Sequence, residues 1–174
     1  MEEREEEQSC LQPQESVAKL LLERKLTLSC AESCTGGMIS ARLVSVPGIS
    51  EVYQCGVVTY ANKAKRKLLD VRKKTLRKYG AVSAQTAGEM ARGATRNLGT
   101  DVSVAVTGIA GPGGGTPQKP VGLVYIGCCV QGKVKVQECH FTGDRTQVRE
   151  AAAEEALRFL EKCVRKYSKA AEEV

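Results

Sequence analysis

The chain has 174 residues, the size of one domain with a core that needs no covalent staples. Its eight cysteines follow no signal-like segment, form no Cys-x-x-Cys pair and meet only one histidine, which argues against a disulfide-rich secreted module and against a zinc site; no apolar run reaches the length of a membrane span. The net charge of +6 conceals an asymmetry, because five Glu and one Arg fall within the first seven residues and leave the remainder at +10, a body suited to anionic partners.

Residues 1–13, acidic and polar as far as Pro13, read as a flexible tail, and residues 169–174 as a short C-terminal one. Between them, residues 14–168 form the predicted domain. Val17, Leu20 and Leu21 mark one face of an opening helix over 16–25. The period then changes: residues 26–31 have strand composition, Thr35-Gly36-Gly37 turns the chain, and a helix over 38–44 stops at Pro47-Gly48. A second strand spans 53–60, Asn62 caps a basic helix through Leu69, and a short helix covers 73–79. Ser83 caps a long helix over 84–98 that Gly99 closes, with Ala87, Met90, Ala91 and Ala94 at helical spacing.

A third strand over 101–107 leads into the glycine-rich loop 108–115. Residues 121–130 and 133–141 form a hairpin around Gln131-Gly132. Asp144, with Gln147 three residues on, makes a capping box for a last helix that runs to about Lys166. Strand–helix alternation followed by a late hairpin predicts a single α/β domain of three layers, a mixed β-sheet flanked by helices.

The segment Ala31-Glu32-Ser33-Cys34-Thr35-Gly36-Gly37 sets a serine on a turn between a strand and a helix. Ser33 there is either part of a helix cap or a nucleophile. Thr35, Gly36 and Gly37 would aim backbone N–H groups at an anion or oxyanion. A nucleophilic serine needs a base. The single histidine, His140, sits in a strand with no motif around it, whereas Lys65 follows a strand into a helix; a lysine base must be desolvated or crowded by other cations, and Lys63, Arg66 and Lys67 provide such crowding. A plain basic helix face would look similar. The loop 108–115 lacks P-loop and dinucleotide spacing but could wrap a phosphate with backbone donors. Arg145, in the first turn of the last helix, is unfavourable to the helix dipole and points either to an anionic partner or to a pairing with Asp144 or Glu150.

In order along the chain, the Ala31–Gly37 segment, Gly56-x-Val58-x-Tyr60-x-Asn62-x-x-Lys65, Gly80-Ala81-Val82-Ser83, Thr107-Gly108-Ile109-Ala110-Gly111-Pro112, Lys119-Pro120-Val121-Gly122 and Phe141-x-Gly143-Asp144-Arg145 are similar to the motifs of the CinA C-terminal domain family over about residues 14–168. Active members are nicotinamide mononucleotide (NMN) deamidases of the PncC type. The resemblance implies a Ser/Lys amidohydrolase of pyridine nucleotide metabolism and NAD salvage that needs no cofactor and no metal. It implies Ser33 as nucleophile, Lys65 as its base and Tyr60 assisting. Thr35, Gly36, Gly37, Thr107, Gly108, Gly111 and Arg145 are then the substrate-binding candidates. A cytoplasmic, stand-alone homo-oligomer is expected, with NMN as its partner, no membrane and no nucleic acid. The alternative is a catalytically silent nucleotide-binding or partner-recruiting domain of the same fold. Scattered Lys and Arg and the absence of Trp, beside two Phe and five Tyr, make a nucleic-acid binder the weakest reading.

Overall fold

The computed structural model describes residues 11–168, in which helices alternate with strands before a final hairpin. The elements are α1 (Pro13–Arg24), β1 (Leu28–Glu32), α2 (Met38–Val44), a 3-10 turn at Ile49–Glu51, β2 (Tyr53–Val58), α3 (Asn62–Leu69), α4 (Lys73–Tyr79), α5 (Ala84–Leu98), β3 (Val102–Gly108), β4 (Leu123–Val130), β5 (Lys133–His140) and α6 (Arg145–Tyr167). The first ten residues and the last six, which carry most of the predicted tails, lie outside the described residues. Pro13 belongs to the domain: it opens α1, where its missing N–H costs nothing, and it is buried.

The sheet order is β2-β1-β3-β4-β5. β1 runs parallel to β2 and β3, while β4 and β5 close the sheet as antiparallel neighbours. The turn between them places Gln131 and Gly132 both at positive φ, the backbone that a two-residue hairpin requires. Two caps agree with the sequence: Ser83 Oγ accepts from Thr86 N–H, and Asp144 with Gln147 makes the reciprocal pair at the start of α6. One cap does not. Asn62 is already helical, and Ala61 precedes it with no side-chain cap.

Each face of the sheet has its own residue size. Leu28 and Cys30 of β1, Val102, Val104 and Val106 of β3 and Val124, Ile126 and Cys128 of β4 face α1, α2 and α6, forming the larger core with Leu21, Leu157 and Leu160. The other face presents Ala31, Ala105 and Cys129 to Met90, Ala91 and Ala94 of α5. Small side chains on both sides let α5 lie close: Ser103 Oγ donates to the Ala91 carbonyl at 2.6 Å, and a Cβ on Gly127 would meet the Ala87 carbonyl oxygen at 2.4 Å. α3 in turn rests on α5, where a Cβ on Gly93 would sit 1.9 Å from the Leu69 carbonyl oxygen.

The crossover from β1 to β2 uses α2 on one face, and the crossover from β2 to β3 uses α3, α4 and α5 on the other. The chain leaving β1 goes to one face and the chain leaving β2 to the other, which opens a crevice at the carboxyl ends of these strands, beside the end of β3. This is where doubly wound sheets place their ligands.

Gly93→Ala is expected to force α3 off α5, lowering stability by about 2 kcal/mol and Tm by several degrees. Thermal denaturation followed by circular dichroism checks this, and an unchanged Tm would show that the contact yields freely.

Candidate active site

Ser33 is the first residue beyond β1, held by its N–H to the Val106 carbonyl of β3 at 3.1 Å. The chain then turns sharply through Gly36 and Gly37, both at positive φ, into α2. The buried Glu32 carboxylate lies across the open end of that helix. Its oxygens accept from the N–H groups of Gly37, Ile39 and Ser40 at 2.9–3.2 Å and from Ser40 Oγ at 2.9 Å. A buried anion is thus stabilised by amides and by the positive end of a helix.

Two of the N–H groups expected to face a ligand, those of Gly36 and Gly37, are engaged inside the protein. The Gly37 N–H is consumed by Glu32, the Gly36 N–H by the Ser33 carbonyl, and Thr35 is fully buried. The Gly36 and Gly37 donors thus serve the protein itself. No spacing rule announces the arrangement, because a glutamate at the end of a strand reads as an ordinary polar residue.

Lys65 projects from the first turns of α3 and is 1% exposed. Its Nζ lies 2.9 Å from Ser33 Oγ, 2.7 Å from the Thr59 carbonyl and 3.4 Å from the Tyr60 carbonyl. Burial lowers its pKa from 10.5 to about 8, opposed weakly by the Cys34 thiol. The expected cause, crowding by Lys63, Arg66 and Lys67, is not the operative one: those three side chains are exposed to water.

Ser33 and Lys65 line a cleft of about 270 Å³ together with Tyr60, Ala81, Val82, Arg145 and the run from Thr107 to Gly111. Of the predicted binding residues, Thr107, Gly108, Gly111 and Arg145 reach it, and Thr35, Gly36 and Gly37 do not. Tyr60 is 66% exposed. Its carbonyl meets Lys65, while its hydroxyl accepts from Arg145 Nη2 at 3.3 Å across the mouth. Arg145 also donates to the Gly111 carbonyl at 2.7 Å, so it holds the glycine loop rather than pairing with Asp144 or Glu150. The lining includes two cations and no carboxylate, a field that favours an anionic ligand.

Two residues for which the sequence suggested no separate role complete the frame. Arg149 of α6 donates to the carbonyls of Cys34 and Thr35 at 2.9 and 3.2 Å, pinning the turn behind Ser33. Lys119 Nζ donates to the carbonyls of Tyr79 and Val82, tying the long loop to the segment after α4. His140 lies outside the cleft, 2.8 Å from Glu138. Thiols 30, 34, 55, 128, 129, 139 and 163 are all free, and burial raises the Cys34 pKa to about 11, which keeps that cleft-lining sulfur protonated. No described helix is long and apolar enough to cross a membrane.

Residues 11–164 match the model of the CinA C-terminal domain. A putative competence-damage inducible protein of Clostridium beijerinckii is 60% identical over 136 residues, covering 78% of this chain and 33% of that protein. A CinA-like protein of Kosmotoga olearia is 50% identical over 151 residues, covering 87% of this chain and 37% of its own length. The chain spans about a third of the length of the curated relatives it matches. Among solved structures, a CinA superfamily protein from Klebsiella pneumoniae superposes with a TM-score of 0.86 at 35% identity, over 89% of this chain and 97% of that one. The competence/damage inducible protein CihA from Agrobacterium tumefaciens gives 0.80 at 44% identity, over 85% and 93%.

Glu32→Gln, which keeps the size but turns an NH2 toward amide donors, is expected to cost about 2 kcal/mol, read as a fall in Tm. Retention of wild-type stability would mean that the carboxylate charge does not hold the turn.

Proposed function

The chain belongs to the CinA C-terminal domain family, and we propose that it is an amidohydrolase releasing ammonia from the carboxamide of NMN to leave nicotinic acid mononucleotide. One observation carries the reading: a buried lysine amine 2.9 Å from the hydroxyl of Ser33, with its pKa brought down to about 8. A neutral amine has two N–H bonds and one lone pair. The carbonyls of Thr59 and Tyr60 can only accept, so they take the N–H bonds and leave the lone pair for the Ser33 hydroxyl.

Lys65 then removes the Ser33 proton as Oγ bonds to the amide carbon. Backbone N–H groups beside Ser33 or at Thr107-Gly108 are the candidates to hold the resulting oxyanion. The proton passes from Lys65 to the departing nitrogen, the C–N bond breaks and ammonia leaves. Water, deprotonated by the same amine, cleaves the ester. Tyr60, with its hydroxyl on Arg145 at the cleft mouth, is suited to closing over the bound nucleotide. Arg145 and the loop through Gly111 supply a cation and backbone groups for the substrate phosphate.

Ammonia release from NMN is expected with the purified protein, and Ser33→Ala or Lys65→Ala should each lower it at least about a hundredfold with the fold intact. Full activity in either variant removes the dyad. An inactive wild type that still binds NMN favours a catalytically silent nucleotide-binding domain.

The pH dependence follows from the same group. Neutral Lys65 is the active form and its pKa is about 8, so kcat/KM should rise about fivefold between pH 7 and 8 and level off above 9. A rate falling over that interval would contradict a lysine base.

A further inference from the structure

Lys and Arg that look scattered along the sequence are gathered by the fold. α3 and α4 meet so that Lys63, Arg66, Lys73 and Arg77 line one depression of about 440 Å³. A second, of about 400 Å³, is lined by Lys73, Lys74, Arg77 and Lys78. The two share Lys73 and Arg77 and so form one continuous trough. All six side chains are exposed, and none has a carboxylate partner among the described residues. The single acid of both helices and their link, Asp70, is engaged by Arg96 at 2.6 Å.

Fold stability does not account for this grouping. Lys73 faces Arg77 and Lys74 faces Lys78 one helical turn on, and like charges at that spacing destabilise a helix. α4 also starts with Lys73 and Lys74 and has no acid in its first turn, which opposes its dipole. The trough is held open against its own repulsion, a condition that a polyanion relieves.

We propose that this trough binds the phosphodiester backbone of nucleic acid without reading its sequence. Six closely spaced cations suit a regular line of phosphates. Neither lining includes an aromatic ring, and Tyr79 beside the trough is covered by Lys78 Nζ at 5.1 Å from its ring centroid, so recognition rests on the backbone. Its apolar side chain, Leu76, is half-buried, and the trough therefore lacks the projecting hydrophobic residues that an anionic bilayer surface engages. The expectation of no nucleic-acid partner rested on scattered cations and scarce aromatic residues; folding removes the first ground, and backbone recognition does not need the second.

The test is fluorescence anisotropy of the full chain with labelled 20-base-pair duplexes of two unrelated sequences. Equal affinity for both is expected, with about a thousandfold loss between 50 and 200 mM salt if all six cations release counterions. Lys73→Glu/Lys74→Glu/Arg77→Glu should abolish binding, while Lys133→Glu/Lys135→Glu on β5 should leave it intact. Should the triple variant fail to fold, Lys74→Glu and Lys78→Glu singly should each lower the salt slope by about one. Duplex affinity indifferent to these variants overturns the proposal. So does binding of phosphatidylserine vesicles or polyglutamate, but not the duplex, through the same residues.

Discussion

One sheet face has little side-chain height. Ser103, Ala105 and Gly127 point toward α5, which answers with Ala87, Ala91 and Ala94, so helix and sheet meet almost backbone to backbone. Because α5 lies so low, α3 can rest against it at Gly93, and the inward side of α3 falls beside the end of β1. Lys65 occupies that inward side. Larger residues on this face would lift α5, carry α3 outward and expose the amine to water. Its depressed pKa and its contact with Ser33 therefore both descend from a packing choice made several elements away.

The serine side of the cleft is built by a different force. Glu32 brings a full negative charge into the interior, and four donors at the start of α2 make that tolerable. Ser33, the next residue, inherits the rigidity of the arrangement. Arg149 braces the following carbonyls from α6, and its guanidinium lies 3.3 Å from where a Cβ on Gly36 would be. The turn is thus fixed from ahead by a helix end and from behind by an arginine. The cleft wall itself keeps only the cations Lys65 and Arg145.

What could be read from the sequence was what local chemistry dictates. Ser83 and Asp144 announced their helices because cap residues act within three positions. Ser33 and Lys65 stood out from motif spacing and from the want of histidines. Glu32 and Arg149 did not, since one needs the strand-to-helix bend and the other a partner 115 positions away in sequence. The internal acceptors of the Gly36 and Gly37 N–H groups were hidden for the same reason, since neither the Ser33 carbonyl nor the Glu32 carboxylate can be placed against them before the turn is folded. The close approach at Gly93 was equally hidden, because a helical glycine carries no sign of what lies opposite.

The misplaced cause of the Lys65 shift is instructive in magnitude. Two unit charges 6 Å apart in water interact by about 0.7 kcal/mol, roughly half a pKa unit, and ionic strength reduces that further. Exposed neighbours such as Lys63 and Arg66 could at best trim the value. Moving the ammonium out of water acts on its whole solvation energy, and that is large enough to bring 10.5 down to about 8. One helix therefore supports two unrelated electrostatic situations. On its buried side the exclusion of water brings a single lysine within reach of losing its proton near pH 8; on its exposed side the remaining lysines and arginines stand in water. The cation row is consequently free to serve a polyanion without setting the chemistry of the amine one turn away.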